Sequence, residues 1–347
     1  MENEIISRWM EKTGPDSDVV ISSRIRLARN LNAYPFPNSA QRDDLEAVIN
    51  ETAKALDKEN KFDLNLIYLT QISDLERKMM IEKHLISPEL NKDPESRAVA
   101  ISKDEISSLM VNEEDHLRLQ LLYPGLQLEK AWNKANQVDD FLEKEIDIAF
   151  DKNYGYLTTC PTNTGTGLRA SVMVHLPALT ITGRIKKVIS AISQLGLAVR
   201  GLYGEGTEAI GNLYQISNQV TLGRSEEEII ADLKEVTAQI IAQERNARKV
   251  LLKEQKTNLK DKICRAYGTL KYAHSISANE AMDLISYVKL GIDLDIINDM
   301  SGNILNQLMV MVRPATLQVL NTSELSVEQR DIYRAKMIKE RLSGEIN

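Results

Sequence analysis

Residues 98–112, AVAISKDEISSLMVN, hold two apolar runs, 98–102 and 107–112, separated only by residues 103–106. Runs of five or six residues have the length of strands rather than helices. A connection this short cannot contain the crossover of a dozen or more residues that a parallel pair requires, so the two runs form an antiparallel hairpin. Further β-rich runs lie at 19–23, 66–70, 171–176 and 197–203. They do not alternate with single helices as a doubly wound sheet requires. The expected fold is therefore α+β, an antiparallel or mixed sheet flanked by helices, and not a dinucleotide-binding fold.

After Ser225 the period becomes helical: Ile229, Ile230, Leu233, Val236, Ile240 and Ile241 fall on one face, and no convincing strand follows. Ser277 with Glu280, and Ser326 with Gln329, have the spacing of capping boxes, and Pro314 breaks or begins a helix. We expect two units, 1–249 mixed and 250–347 all-helical.

The 347 residues carry 43 Lys+Arg against 50 Asp+Glu, a net charge of −7, with the acids spread along the chain. Nucleic acid is not the expected partner. Hydrophobic content of 43% fits a globular protein, and interspersed charge rules out a membrane span. The opening MENEIISRWM is acidic where a signal peptide is basic, so a cytoplasmic location is expected. Cys160 and Cys264 are the only cysteines, too few for a disulfide framework or a zinc site, and no protein metal site is expected.

Neither a GxxxxGK[ST] loop nor the HRD and DFG triplets of protein kinases occurs. Instead, arginines sit in strand-like or glycine-rich segments: Arg24 and Arg26 in VVISSRIR, Arg118 in NEEDHLR, Arg169 in GTGLRAS and Arg200 in VRGLYGEG. Read singly, each is a surface ion pair. Together they point to an anion, and Arg24 and Arg26, two apart on a strand, project to one face where their planar forks suit phosphate oxygens. Thr164, Gly165, Thr166 and Gly167 form a hydroxyl- and glycine-rich loop of the kind whose N–H groups approach phosphates. Acids lie at 113–115 and at Glu205. Carboxylates bind a guanidinium bidentately and can remove its proton.

The segments SSRIRLARNL, NEEDHLR, CPTNTGTGLRAS and RGLYGEGTEAIGNLYQISN closely resemble the signatures of phosphagen kinases, the arginine and creatine kinase family. The resemblance, from about residue 18 to about residue 248, implies a glutamine synthetase-like antiparallel sheet and the use of ATP with Mg2+ held mainly by the nucleotide. It implies that Arg24, Arg26, Arg118, Arg169 and Arg200 embrace the nucleotide phosphates, with Ser22, Ser23 and the 164–167 loop beside them. By the same resemblance Glu114 and Glu205 bind the guanidinium, Cys160 is the reactive cysteine beside it, and His84 contacts adenine. Cys264 reads as a small buried hydrophobe; His116, His175 and His274 read as structural.

Phosphagen kinases carry about a hundred helical residues before the SxRxR segment, and here only a short leader precedes it. Gly206, Gln215 and Met173 stand where the family has histidine, aspartate and histidine. These departures, with KHLISPEL at 83–90 and the 330–335 segment RDIYRA, resemble the narrower branch of bacterial protein arginine kinases of the McsB type. That likeness implies proteins bearing exposed arginine as substrates and a regulatory phosphoarginine site at Arg330, Asp331, Arg334 and Ala335. It also implies a homodimer, a McsA-type activator, a CtsR-type repressor and a ClpC–ClpP protease. Arg330 and Arg334, four apart on one helix face, could both reach one phosphate.

Overall fold

The period-two alternation of VISSRIRLAR makes β1, Val20–Arg29: Ile21, Ile25 and Leu27 point one way, Ser22, Arg24 and Arg26 the other. In the computed structural model, which describes residues 6–11, 14–58, 61–203, 209–298, 300, 302–321 and 323–343, this strand lies inside an eight-stranded sheet. The other strands are β2 (Leu64–Tyr68), β3 (Ala98–Ser102), β4 (Ser107–Val111), β5 (Leu117–Pro124), β8 (Leu168–His175), β9 (Leu197–Tyr203) and β10 (Ala209–Asn218); β6 (Phe150–Asp151) and β7 (Gly155–Tyr156) form a separate small hairpin. The order is β2-β3-β4-β5-β1-β8-β10-β9, and every neighbouring pair is antiparallel.

The hairpin expected at 98–112 is β3–β4, with Ala98 opposite Val111. β5 and β10 were not expected. LRLQLLYP in β5 is nearly all buried, and its Leu117, Leu119 and Leu121 alternate with Arg118 and Gln120, a strand pattern that the expectation passed over. The run at 66–70 ends as a strand at Tyr68, because Leu69–Gln71 turns into a 3-10 helix.

One face of the sheet is closed by the helices Leu128–Glu145 and Glu226–Glu254. Leu128, Ala131, Ala135, Val138 and Leu142 recur at helical spacing and share one core with Ile25, Leu27, Leu119, Leu121, Ala170, Val172 and Ile216. Each Leu, Ile or Val so buried contributes about 1.5–3 kcal/mol. Apolar parity thus fixes which face is covered and leaves Arg24 and Arg26 on the other.

Ser225 caps Glu226–Glu254 through a reciprocal box with Glu228. The division expected at 249/250 falls inside this helix, and the chain next turns at Gln255 before Lys256–Tyr272. Ser277 caps Ala278–Asp293, Ser326 and Gln329 exchange their capping bonds, and Pro314 opens Pro314–Leu320. Cys264 is exposed, not the buried hydrophobe expected: it lies on the solvent side of a helix whose buried positions are Leu259, Ile263, Ala266 and Leu270. His175, by contrast, is a buried structural residue bonded to Ser286. No helix among the described residues is long and apolar enough to cross a membrane.

Candidate active site

Residues directly opposite each other in antiparallel strands share a face. Arg26 is opposite Arg169 and Gln120, Arg24 opposite Ser171, Ala28 opposite Arg118, and Gln215 opposite both Met173 and Arg200. The sheet therefore gathers Arg24, Arg26, Arg118, Arg169 and Arg200 on the face that the helices leave open. Arg24 donates to Gln215 Oε1 at 2.7 Å and weakly to Ser171 Oγ at 3.4 Å. Gln215, where the resembled family has an acid, orients this guanidinium without neutralising it.

Arg26 Nε and Arg169 Nε are buried donors with no acceptor among the described residues. Loss of hydration, then the charges of Arg24, Arg118 and Arg169, push the Arg26 guanidinium well below its usual range. Arg169 is pushed down by burial and by Arg200 and Arg118. Like charges held this close are unfavourable until an anion arrives, and unsatisfied donors among them define the anion. A triphosphate fits this set.

Arg24, Arg26 and Arg118 line a cavity of about 400 Å³ together with His84, Ile86 and Met110. Burial, then the nearby Arg24 and Arg313 charges, depresses His84 to about 3, so its imidazole is neutral at ordinary pH. A neutral ring beside apolar side chains and convergent cations is the composition of a nucleotide pocket.

The β4–β5 turn carries three acids with different fates. Asn112, at φ 60, closes the turn by donating its N–H to the His116 carbonyl at 2.8 Å. Glu113 is buried and ion-paired with Arg118, with the Ser87 hydroxyl also bonded to it. Asp115 is buried and accepts from Asn30 Nδ2 at 2.7 Å and from Thr159 N at 2.6 Å, pinning the turn to the loop that carries Cys160. Between them Glu114 alone is exposed. Partial loss of hydration, then the Asp115 and Glu113 charges, raises its carboxyl above the usual 4.5, opposed by Arg118 and a hydrogen bond from Cys160. A carboxylate of raised proton affinity beside a row of cations is placed to act as a base. His116, buried below the turn, accepts from Leu31 N and meets the Pro35 carbonyl at 3.0 Å, a structural residue.

Three expectations are corrected. The N–H groups of 163–168 are already used: Gly167 donates to Asn163, Gly165 to Tyr156, Thr166 to Thr221, Thr164 to Pro161 and Leu168 to Thr166 Oγ1. The glycines are required by packing, since a Cβ on Gly165 (φ +115) would lie 2.6 Å from Thr221 O, and one on Gly167 (φ +64) 2.6 Å from Ala28 O. The 164–167 loop thus forms no open phosphate cradle. Ser23 faces the core side, donating to Gly125 O at 2.7 Å and accepting from Gln127 N at 2.9 Å, whereas Ser22 shares the arginine face. Glu205 and Gly206 lie outside the described residues.

The third correction concerns the C-terminal helix Val327–Ser343. Arg334, although it feels the Arg330 charge, is buried, donates to Val312 O and Ile276 O at 2.7 Å each, is paired with Asp331, and does not line the cavity that Arg330 lines. Asp331 also accepts from Ile276 N through its carbonyl, and Ala335 is buried. These residues fasten three helical segments together. Arg330 instead lines a cavity of about 850 Å³ with Lys78, Glu82, Arg313 and Pro314.

Some residues that shape the site escaped the sequence reading. Arg29 pairs with Asp139, donates to Thr166 O at 3.0 Å and lies under the Tyr156 ring at 3.4 Å, bracing the Cys160 loop from beneath. Glu82 accepts from Ala315 N at 3.0 Å and Thr316 N at 2.7 Å, joining the wall of the smaller cavity to the helix Pro314–Leu320. The partners are 110 and more than 230 positions apart, so no local signal marks them.

A sequence model described as the ATP:guanido phosphotransferase C-terminal catalytic domain matches residues 45–247, and one described as the protein-arginine kinase McsB C-terminal domain matches 256–346. A protein-arginine kinase from Halothermothrix orenii is 53% identical over 341 residues, 98% of either chain; one from Desulforamulus reducens is 52% identical over 345 residues, 98% of this chain and 97% of that one. The crystal structure of a lombricine kinase shares the fold with a TM-score of 0.59 at 24% identity, over 68% of this chain and 70% of that one. A substrate-free duplicated taurocyamine kinase from Schistosoma mansoni gives 0.58 at 20% identity, over 84% of this chain and 50% of that one.

Proposed function

The chain belongs to the ATP:guanido phosphotransferase family, and from that premise we propose that it phosphorylates the guanidinium of arginine residues in proteins, with Mg-ATP as donor. The observation that carries the reading is the row of arginines on the open sheet face, with the unpartnered donors of Arg26 and Arg169 at its centre, ending beside the exposed Glu114.

In this reading Arg24, Arg26, Arg118, Arg169 and Arg200 hold the phosphates and stabilise the charge that spreads over the transferring group. Bound Mg-ATP supplies the phosphoryl group. Magnesium, in this reading, comes with the nucleotide. A guanidinium ionises only above ~12 and is a poor nucleophile while protonated. Glu114, with its raised proton affinity, takes that proton as nitrogen attacks. Cys160, beside Glu114, belongs to the guanidinium site, to which the family likeness adds Glu205; His84 lies against the base.

A second, regulatory phosphoarginine site rests on Arg330, Lys78 and Arg313 around the larger cavity rather than on Arg334. The homodimer, and the McsA-type activator, CtsR-type repressor and ClpC–ClpP protease as partners, rest on the family likeness alone, and the cytoplasmic location on the acidic opening MENEIISRWM.

The test is mass spectrometry, under conditions that preserve acid-labile phosphoarginine, after incubation with Mg-ATP and either an arginine-rich protein or free arginine. Label on the protein alone is expected; label on free arginine alone would overturn the reading.

A further inference from the structure

The cavity of about 400 Å³ read above as the nucleotide pocket has walls of different origin. Arg24 and Arg26 come from β1, Arg118 from β5, His84 and Ile86 from the segment after the helix Asp74–Glu82, and Arg313 from the residue before the helix Pro314–Leu320. Ile81, Glu82 and Arg313 line the larger cavity as well, so they stand between the two.

Arg313 is an unusual residue for its place. It is the N-cap of Pro314–Leu320, a position that favours short side chains able to accept a hydrogen bond, and it makes no side-chain cap. A cation there faces the positive end of the helix and shares a cavity with three other guanidiniums. Its charge reaches the pocket interior, where it adds to burial and to Arg24 in keeping His84 neutral. The missing cap is supplied by Glu82, whose carboxylate accepts from Ala315 N at 3.0 Å, Thr316 N at 2.7 Å and Thr316 Oγ1 at 2.7 Å. The backbone at 313 is fixed on both sides: Arg313 N donates to Val310 O at 3.0 Å, its carbonyl accepts from Leu317 N at 3.0 Å, and the adjoining Val312 O accepts from Arg334 Nε at 2.7 Å. A backbone already fixed in this way loses little further freedom when a ligand arrives.

We infer that Arg313 is a nucleotide-binding residue, its guanidinium joining Arg24, Arg26 and Arg118 on the phosphates of the bound nucleotide. The inference rests on the nucleotide pocket proposed above. Four guanidiniums around one cavity repel each other until an anion fills it, and their planar forks suit phosphate oxygens. A wall of the pocket that the sheet begins is thus completed by the helical segment near the C-terminus. Glu82, with both carboxylate oxygens engaged by that segment, acts on the nucleotide only through Arg313 and is a positioning residue.

The test is calorimetric titration of the full chain with Mg-ADP, which needs no turnover. A hydrogen bond to a charged group contributes enough for Arg313→Gln to weaken Mg-ADP about tenfold, and Arg313→Lys, which keeps the charge, should recover most of that loss. Amide hydrogen exchange at 315–320 should slow when Mg-ADP binds the unaltered chain and stay unchanged in Arg313→Gln. Equal Mg-ADP affinity in Arg313→Gln would overturn the inference. So would equal losses in the Gln and Lys variants without nucleotide-dependent protection at 315–320, the pattern of a merely structural residue. A failure of the underlying pocket reading shows separately, as no binding of Mg-ADP by the unaltered chain.

Discussion

Glu113 is buried and bound to Arg118 across the β4–β5 turn, so this arginine of the cluster brings its own counter-charge. Burial opposes ionisation of Glu113, but Arg118 and the Ser87 hydroxyl outweigh it and hold its carboxyl below the usual 4.5. Breaking a buried pair strands a charge, and with Arg118 partly exposed Glu113→Gln should lower stability at pH 7 by about 2 kcal/mol. The sign follows from a depressed folded-state pKa: the contribution is present above 4.5 and lost as pH falls through the lower folded value. Denaturant titrations should therefore separate the two proteins at pH 7 and bring them together in strong acid.

The Glu114 carboxyl is shifted the opposite way, above 4.5, by partial loss of hydration and by Asp115 and Glu113. Because the base acts deprotonated, kcat should fall as pH drops through a value higher than that of an ordinary glutamate, while Mg-ADP affinity stays flat over the same interval. A kcat independent of pH down to 4.5 would remove Glu114 from this role.

Arg334 and Arg330 should behave as different kinds of residue. Arg334→Ala deletes bonds to Val312 O, Ile276 O and Asp331 in a buried place, and about 3 kcal/mol of stability should go with it. Arg330→Ala should leave the unfolding midpoint nearly unchanged and weaken phosphoarginine binding at the larger cavity. Thermal unfolding with and without phosphoarginine reads both.

Gly165→Ala places a Cβ 2.6 Å from Thr221 O at a φ of +115. The displaced loop should shift Cys160 relative to Glu114 and reduce transfer more than tenfold. Circular dichroism should show the sheet intact.

The hairpin β3–β4 was legible from its two short apolar runs and the brief turn between them although both strands are wholly buried, and β1 was legible from its alternation. In β1 the alternation of Ile25 and Leu27 with Arg24 and Arg26 declares both the strand and the side on which the site lies. β5 was overlooked although Leu117, Leu119 and Leu121 alternate with Arg118 and Gln120, because only its arginine was read and not its period. The arginines of the candidate site could be singled out in the sequence because five planar cations in strand-like or glycine-rich segments together point to an anion. The roles of Glu113, Asp115 and Arg334 were not, since their burial depends on Arg118, on Thr159, and on carbonyls at 276 and 312 that only folding brings near. The glycines of the 164–167 loop were visible, but their reason, close packing on Thr221 and Ala28, was not.

The most direct measurement is single-turnover phosphoryl transfer from Mg-ATP to a protein acceptor, comparing the unaltered chain with Glu114→Gln and following phosphoarginine by mass spectrometry. A general base contributes on the order of 10²–10⁴ in rate. The expected result is a loss of that size with Mg-ATP affinity retained. Transfer at the unaltered rate in Glu114→Gln would contradict the assignment of the open arginine face and its neighbouring carboxylate as the catalytic site.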